Sequence, residues 1–235
     1  MNKDSRILLL SAGIDSFCSW YILNKPSCIH VTGHSRYSNQ ELETVIRLKE
    51  QHPEMELRII YGQEWLQEFE EENANIDARN LLFVDIAAHY GDTIYLVCQR
   101  GEMSIPDRSP EFFEKMNELL TFLYGKHKRV WPVFVNETKA DLVQKYLQKG
   151  FPVEELLQTY SCFSGERGRC GRCAACARTA WALDFNSILP DNFFNQDIWE
   201  WSGWNDYIRR IKNNEIEERR ASQTKELLVR RGIWK

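Results

Sequence analysis

The first patterned stretch, Arg6 to Leu10 (RILLL), is an apolar run without polar alternation. Such a run predicts a strand buried on both faces, as inside a parallel sheet. It passes into Ser11-Ala12-Gly13-Ile14-Asp15-Ser16 and then FCSWYIL, which predicts a helix from Ser16 to Leu23 ended by Pro26. Cys28 to Gly33 and Leu57 to Tyr61 read as two more strands. Between them lies a polar helix, Asn39 to His52, with apolar positions at Leu42, Val45, Ile46 and Leu48. Ala78 to Tyr90 has helical spacing, and Thr93 to Val97 is a fourth strand. Arg129 to Val135, interrupted by Pro132, is a fifth, set between helices at Glu111 to Tyr124 and Lys139 to Lys149. Strands alternating with helices predict an α/β fold, a parallel sheet with helices on both faces. Ligands in such sheets bind beyond the carboxyl ends of the strands, which is where the loop Ser11 to Ser16 falls.

The pattern changes late in the chain. Ala177 to Phe185 reads as a helix, and from Ser187 the sequence becomes aromatic, with Phe193, Phe194, Trp199, Trp201, Trp204, Tyr207 and Trp234. A charged helix is predicted from Asp206 to Arg231, carrying Arg209, Arg210, Arg219, Arg220, Arg230 and Arg231. The expected division is a main domain over 1–186 and a helical extension over 187–235. The aromatics either pack the extension onto the domain or form a protein interface, which Trp, Tyr and Arg commonly anchor. The acidic segment Glu64 to Asn75 reads as solvated surface rather than a metal site.

With 235 residues, 43% hydrophobic and 27% charged, the chain can bury a full core. Its net charge of −4 argues against wrapping nucleic acid, which needs a dense positive surface. No apolar run is long enough to span a bilayer and no cleavable leader is evident, so the expected setting is a reducing cytoplasm. Cys18, Cys28 and Cys98 stand in apolar surroundings and read as buried free thiols.

The other four of the seven cysteines fall in CFSGERGRCGRCAAC, residues 162–176, spaced C-x7-C-x2-C-x2-C. Four soft thiolates converging in a tight loop suit a tetrahedral Zn2+ with a closed shell, hence a structural site on Cys162, Cys170, Cys173 and Cys176. A set of free or disulfide-bonded thiols is the alternative. The crowding of the last three cysteines and the low cysteine density elsewhere oppose a disulfide framework.

The SAGIDS loop lacks both the Walker A and the dinucleotide-binding glycine patterns. Strand, small-residue turn and helix nevertheless make an anion cradle. Gly13 permits close approach, Ser11 and Ser16 offer hydroxyls, and Asp15 suits Mg2+ held against pyrophosphate. The alternative is a plain helix cap made by Asp15 or Ser16.

An N-terminal S-[AG]-G-x-D-S loop resembles the pyrophosphate loop of N-type ATP pyrophosphatases. Combined with the cysteine cluster, it resembles the QueC family, the 7-cyano-7-deazaguanine synthases. Ala78-Arg79-Asn80, Pro106-Asp107 with Glu111-Phe112, and Thr138-Lys139-Ala140-Asp141 are similar to further family segments, so the resemblance spans about residues 5–185. It implies a Rossmann-like, adenine nucleotide alpha hydrolase-like fold and ATP-dependent adenylation of 7-carboxy-7-deazaguanine, followed by amide and nitrile formation. It implies an ATP loop of Ser11, Ala12, Gly13, Ile14, Asp15 and Ser16, with Asp15, Arg79 and Lys139 catalytic. Arg79, Glu102, Asp107 and Arg108 would bind substrate, and a homodimer is expected. For Arg79 and Lys139, ordinary surface charge is the alternative.

Two departures stand out. Ala12 replaces a glycine, and in Gly101 to Ser109 Ile105, Arg108 and Ser109 replace the family's aromatic, cysteine and arginine. These departures, with the long tail, resemble specialised QueC-like proteins of CBASS antiphage operons, which imply a protein acceptor or defence-operon partner. A related enzyme acting on tRNA and a zinc-stapled, non-catalytic binding module are the competing readings.

Overall fold

The computed structural model describes residues 5–125 and 128–234. Its chain order is β1 (Arg6–Leu9), α1 (Ile14–Ile22), β2 (Ser27–Val31), α2 (Ser38–Gln51), β3 (Leu57–Ile60), α3 (Arg79–Ala88), β4 (Thr93–Val97), α4 (Pro110–Tyr124) and β5 (Arg129–Val133). The helices α5 (Lys139–Gln148), α6 (Val153–Leu156), α7 (Ala174–Phe185), α8 (Trp204–Lys212) and α9 (Glu218–Arg230) follow. Among the described residues the sheet has five strands in the order β3-β2-β1-β4-β5, all paired in parallel.

Buried on both faces, β1 sorts its side chains by the two-residue period of a strand. Leu8 faces the core that holds Phe17, Trp20, Tyr146 and Trp181, while Ile7 and Leu9 face the core of Val84, Ile94, Leu120 and Val130. Helices α1, α5 and α7 pack on the first side, α3 and α4 on the second. Pro132 is tolerated because β5 is an edge strand, and the strand stops at Val133 where Phe134 turns to φ 68°. Cys18, Cys28 and Cys98 are buried free thiols, as their surroundings predict.

The sequence pattern misjudges three boundaries. Helix α1 starts at Ile14 rather than Ser16, and α7 starts at Ala174, which puts Cys176 in its first turn. The predicted tail helix is two helices, because Asn214 adopts φ 55°, a left-handed geometry that asparagine tolerates. The Glu217 carboxylate then caps α9 by accepting from the Arg219 and Arg220 N–H groups at 3.2 and 3.0 Å.

The tail aromatics pack inward. Trp204, Ile198, Leu227 and Leu228 belong to the same core as Phe17 and Trp20. Trp204 donates its indole N–H to the Ile198 carbonyl at 2.8 Å and stacks against Trp199. Polar anchors continue the seam. Arg219 grips Asp141 through two bonds of 2.7 and 2.8 Å, and Gln223 donates to the same carboxylate at 2.8 Å. Asp141 and Thr138 form the capping box of α5, so the tail braces the turn from which Lys139 projects.

Burial alone would raise the Asp141 carboxyl, but the Arg219 guanidinium, the Thr138 N–H and Gln223 together hold it at about 2. A carboxylate depressed in the folded state stabilises it above the unfolded value of about 4. That contribution disappears as pH falls through about 2. Asp141→Asn is therefore expected to lower stability at pH 7 by about 1–2 kcal/mol. In urea titrations the gap between the two proteins should narrow between about pH 4 and pH 2.

Candidate active site and metal centre

The chain leaves β1 through Leu10, whose N–H still bonds Ile29 at 2.8 Å, and then makes the tight turn Ser11 to Gly13. Ser16 pins this turn by donating to the Ser11 carbonyl at 2.6 Å, and the Gly13 N–H bonds Ser11 Oγ at 3.2 Å. A Cβ on Gly13 would sit 3.0 Å from Ser161 Oγ and 3.2 Å from Ser11 Oγ, so glycine keeps the turn close to its neighbours. Ala12 costs the turn little, because its methyl lies wholly in the core. Gly13 is the N-cap of α1 and no side chain caps this end, so the reading of Asp15 or Ser16 as a plain cap does not hold. The first-turn N–H groups of α1 are left for a ligand at the carboxyl edge of the sheet. Ile14 is buried and fixes the helix to the core beneath them.

Asp15 projects from the first turn of α1 between the ends of β1, β4 and β5. Gln99, just beyond β4, donates to Asp15 Oδ1 at 2.7 Å, and Lys139, the first residue of α5, forms an ion pair with Oδ2. Lys139 is buried, which removes the surface-charge alternative for it. Glu102 extends this arm of the crevice. Its carboxylate accepts from the Gln99 N–H at 3.1 Å and pairs with Arg108 at 2.9 Å. Burial pushes the Glu102 carboxyl up, but Arg108 leads the charges and bonds that outweigh it, and the balance is downward. Glu102 and Arg108 of the 101–109 loop thus meet as a pair.

The other predicted residues lie apart from this group. Asp107 accepts from the Asn80 N–H at 3.0 Å and so anchors the start of α3. Arg79 turns to the arm beyond β2, bonding the Tyr37 hydroxyl at 3.3 Å and lying over the Phe83 ring. Its neighbours there, His34 and Glu41, went unnoticed in the sequence. Burial, with the Arg79 charge, pushes the His34 imidazole down to about 3. Burial raises Glu41 to about 7 against the opposing pull of Arg79. Gln99 was also missed. Its position directly after a strand was the one available signal.

The four cysteines converge as their spacing predicts, with all four Sγ atoms within 4.8 Å of one another and Cys170 and Cys176 3.9 Å apart. A tetrahedron with Zn–S bonds of about 2.3 Å has sulfurs about 3.8 Å apart, so the set fits zinc. Backbone N–H groups of Cys170, Arg172 and Cys176 donate to the sulfurs of Cys162, Cys170 and Cys173, each at 3.4 Å. Burial pushes the Cys170 thiol up to about 11, so four thiolates here need a cation to balance them. Gly171 has φ 72°, and a Cβ there would lie 2.3 Å from the Gln196 carbonyl oxygen, so only glycine fits. The loop is tied to the Ser11 to Gly13 turn by the Tyr160 N–H, which bonds the Ala12 carbonyl at 2.8 Å, and to α2 by Gln40, which donates to the Gly165 carbonyl. Purified protein is expected to carry about one zinc per chain by elemental analysis. Cys173→Ser should lose most of that metal, and a strong chelator should lower the melting temperature of the wild type.

Comparison with known proteins agrees with this geometry. The family model described as Queuosine biosynthesis protein QueC matches residues 54–186, more than half of the chain. The chain is similar to the 7-cyano-7-deazaguanine synthase of Campylobacter curvus, with 36% identity over 103 residues, covering 40% of this chain and 44% of that protein. It is also similar to the 7-cyano-7-deazaguanine synthase of Thermoplasma acidophilum, with 27% identity over 198 residues, covering 70% of this chain and 81% of that protein. Among the described residues no helix is long and apolar enough to cross a membrane. With a family model that matches more than half of its length, a parallel sheet reversing at β1 and a four-cysteine loop docked on the turn after β1, this chain belongs to the QueC family.

Proposed function

We propose that this chain uses ATP to activate the carboxylate of 7-carboxy-7-deazaguanine and converts it to the amide and nitrile. The observation that carries this reading is Asp15, held by Gln99 and Lys139 beneath the free N-terminus of α1. In this reading the helix N–H groups and Lys139 take the triphosphate, where negative charge gathers as pyrophosphate leaves. Asp15 would hold Mg2+, which when bound neutralises phosphate charge. A substrate carboxylate oxygen attacks the α-phosphorus, the bond to pyrophosphate breaks, and an acyl adenylate forms. Ammonia attacks the acyl carbon, AMP departs with the bond electrons, and a proton lost from nitrogen leaves the amide. A second ATP activates the amide oxygen in the same way, and loss of AMP and the remaining N–H protons gives the nitrile. Cys162, Cys170, Cys173 and Cys176 would hold zinc as a structural clamp on the loop over the crevice, since four thiolates leave no open position.

A second reading passes the acyl group to a protein amine, as in the CBASS-type proteins. One observation favours it, namely that the tail reaches the altered substrate loop. Glu217 pairs with Arg100 at 2.6 Å, and the Arg220 side chain lies 3.8 Å from where a Gly101 Cβ would stand.

Mass spectrometry of a reaction with ATP, Mg2+ and 7-carboxy-7-deazaguanine, with and without ammonia, separates these readings. AMP and nitrile are expected. Amide or adenylate without nitrile would favour the protein acceptor, and absence of AMP would favour a non-catalytic binding module. Asp15→Ala should cut AMP release at least about 100-fold while zinc content stays at the wild-type level.

A further inference from the structure

One buried carboxylate in the crevice has no hydrogen-bond partner. Glu41 stands in the first turn of α2, beyond the end of β2, and is 9% exposed. Among the described residues its carboxylate accepts no hydrogen bond. The group opposite is His34, whose Nε2 lies 3.9 Å from Glu41 Oε2, too far for a hydrogen bond.

The state of His34 follows from its other nitrogen. Nδ1 lies 3.1 Å from the Val31 carbonyl oxygen. A carbonyl only accepts, so Nδ1 carries the proton, and in the neutral ring Nε2 is a lone pair. With Glu41 ionised, two acceptors therefore stand 3.9 Å apart. The nearby donors point elsewhere, Arg79 to the Tyr37 hydroxyl and Gln40 to the Gly165 carbonyl. Burial raises the Glu41 carboxyl and the Arg79 charge offsets only part of that, so a ligand that donates to the carboxylate would favour its ionised form.

A gap lined by two acceptors suits a ligand edge made of two adjacent donors. A guanine-type ring has that edge, a ring N1–H beside an exocyclic 2-amino group. An adenine-type ring pairs its amino group with an acceptor nitrogen, which would meet a lone pair here. Aromatic side chains lie close by, and a ring face can stack on them. Tyr37 and Phe163 lie 5.4 Å apart at 35°, His34 meets Tyr37 edge-on, and Arg178 lies over Phe163. Position 7 is on the five-membered ring, away from the N1 and 2-amino edge. A base seated at Glu41 would therefore carry its carboxylate back out of this arm.

We propose that Glu41, with His34 Nε2 beside it, reads the N1–H and 2-amino edge of the 7-deazaguanine ring and sets specificity for guanine-type substrates. This assignment rests on the substrate reading given under the proposed function. It places the base in the arm beyond β2, rather than on Glu102, Asp107 and Arg108, which already have partners within the chain.

Calorimetric binding of 7-carboxy-7-deazaguanine and its 2-deamino analogue to the zinc-loaded protein tests this. Wild type is expected to bind the 2-amino compound about 10- to 100-fold more tightly. In Glu41→Gln that preference should shrink to about twofold or less, with the KM for ATP unchanged. Equal binding of both compounds by wild type overturns the assignment without any variant. A preference that survives in a folded, zinc-loaded Glu41→Gln, or a change confined to the KM for ATP, overturns it too. If wild type binds neither compound, the substrate reading itself fails, and this assignment falls with it.

Discussion

In this sheet β1 lies between β2 and β4, so the strand order turns in opposite directions on its two sides. Parallel crossovers keep one hand, and the helices that follow are sent to opposite faces, which opens a crevice past the carboxyl ends of the central strands. The loops with ligand chemistry leave from that edge. The Ser11 to Ser16 turn follows β1, His34 and Glu41 follow β2, Gln99 and Glu102 follow β4, and Lys139 follows β5. The crevice thus has two arms with different chemistry. The β4 side gathers two carboxylate–cation pairs, Asp15 with Lys139 and Glu102 with Arg108. The β2 side gathers Glu41, His34, Tyr37 and Arg79.

The last third of the chain supports these arms without entering the sheet. The four-cysteine loop is tied to the Ser11 to Gly13 turn through Tyr160 and Ala12, so the order of that loop bears on the turn. The tail acts on the opposite wall. Arg219 and Gln223 hold Asp141, Asp141 caps α5, and α5 presents Lys139 to Asp15. Aromatic packing makes this brace rigid, since Trp204 and Leu227 share the core of α1 rather than forming a separate one.

What could be read from the sequence followed how locally each feature is determined. RILLL announces a buried strand because both faces of β1 are covered, and the cysteine spacing announces a metal loop because the ligands lie close in sequence. The place of Asp15 in the first turn of α1 was legible because strand, turn and helix are consecutive. Gln99 and Glu41 were not, since their importance depends on crossovers that bring distant loops to one edge. The side of the crevice that Arg79 would join was hidden for the same reason. The break at Asn214 escaped because the charged and apolar periodicity runs on through the turn, and only a positive φ interrupts it.

The central claim is that the crevice joins a substrate carboxylate to the α-phosphorus of ATP. The most direct test supplies 7-carboxy-7-deazaguanine labelled with 18O in its carboxylate and follows the label by mass spectrometry. Adenylation predicts one 18O atom transferred to AMP. Label appearing in inorganic phosphate, or AMP formed without label, would contradict it.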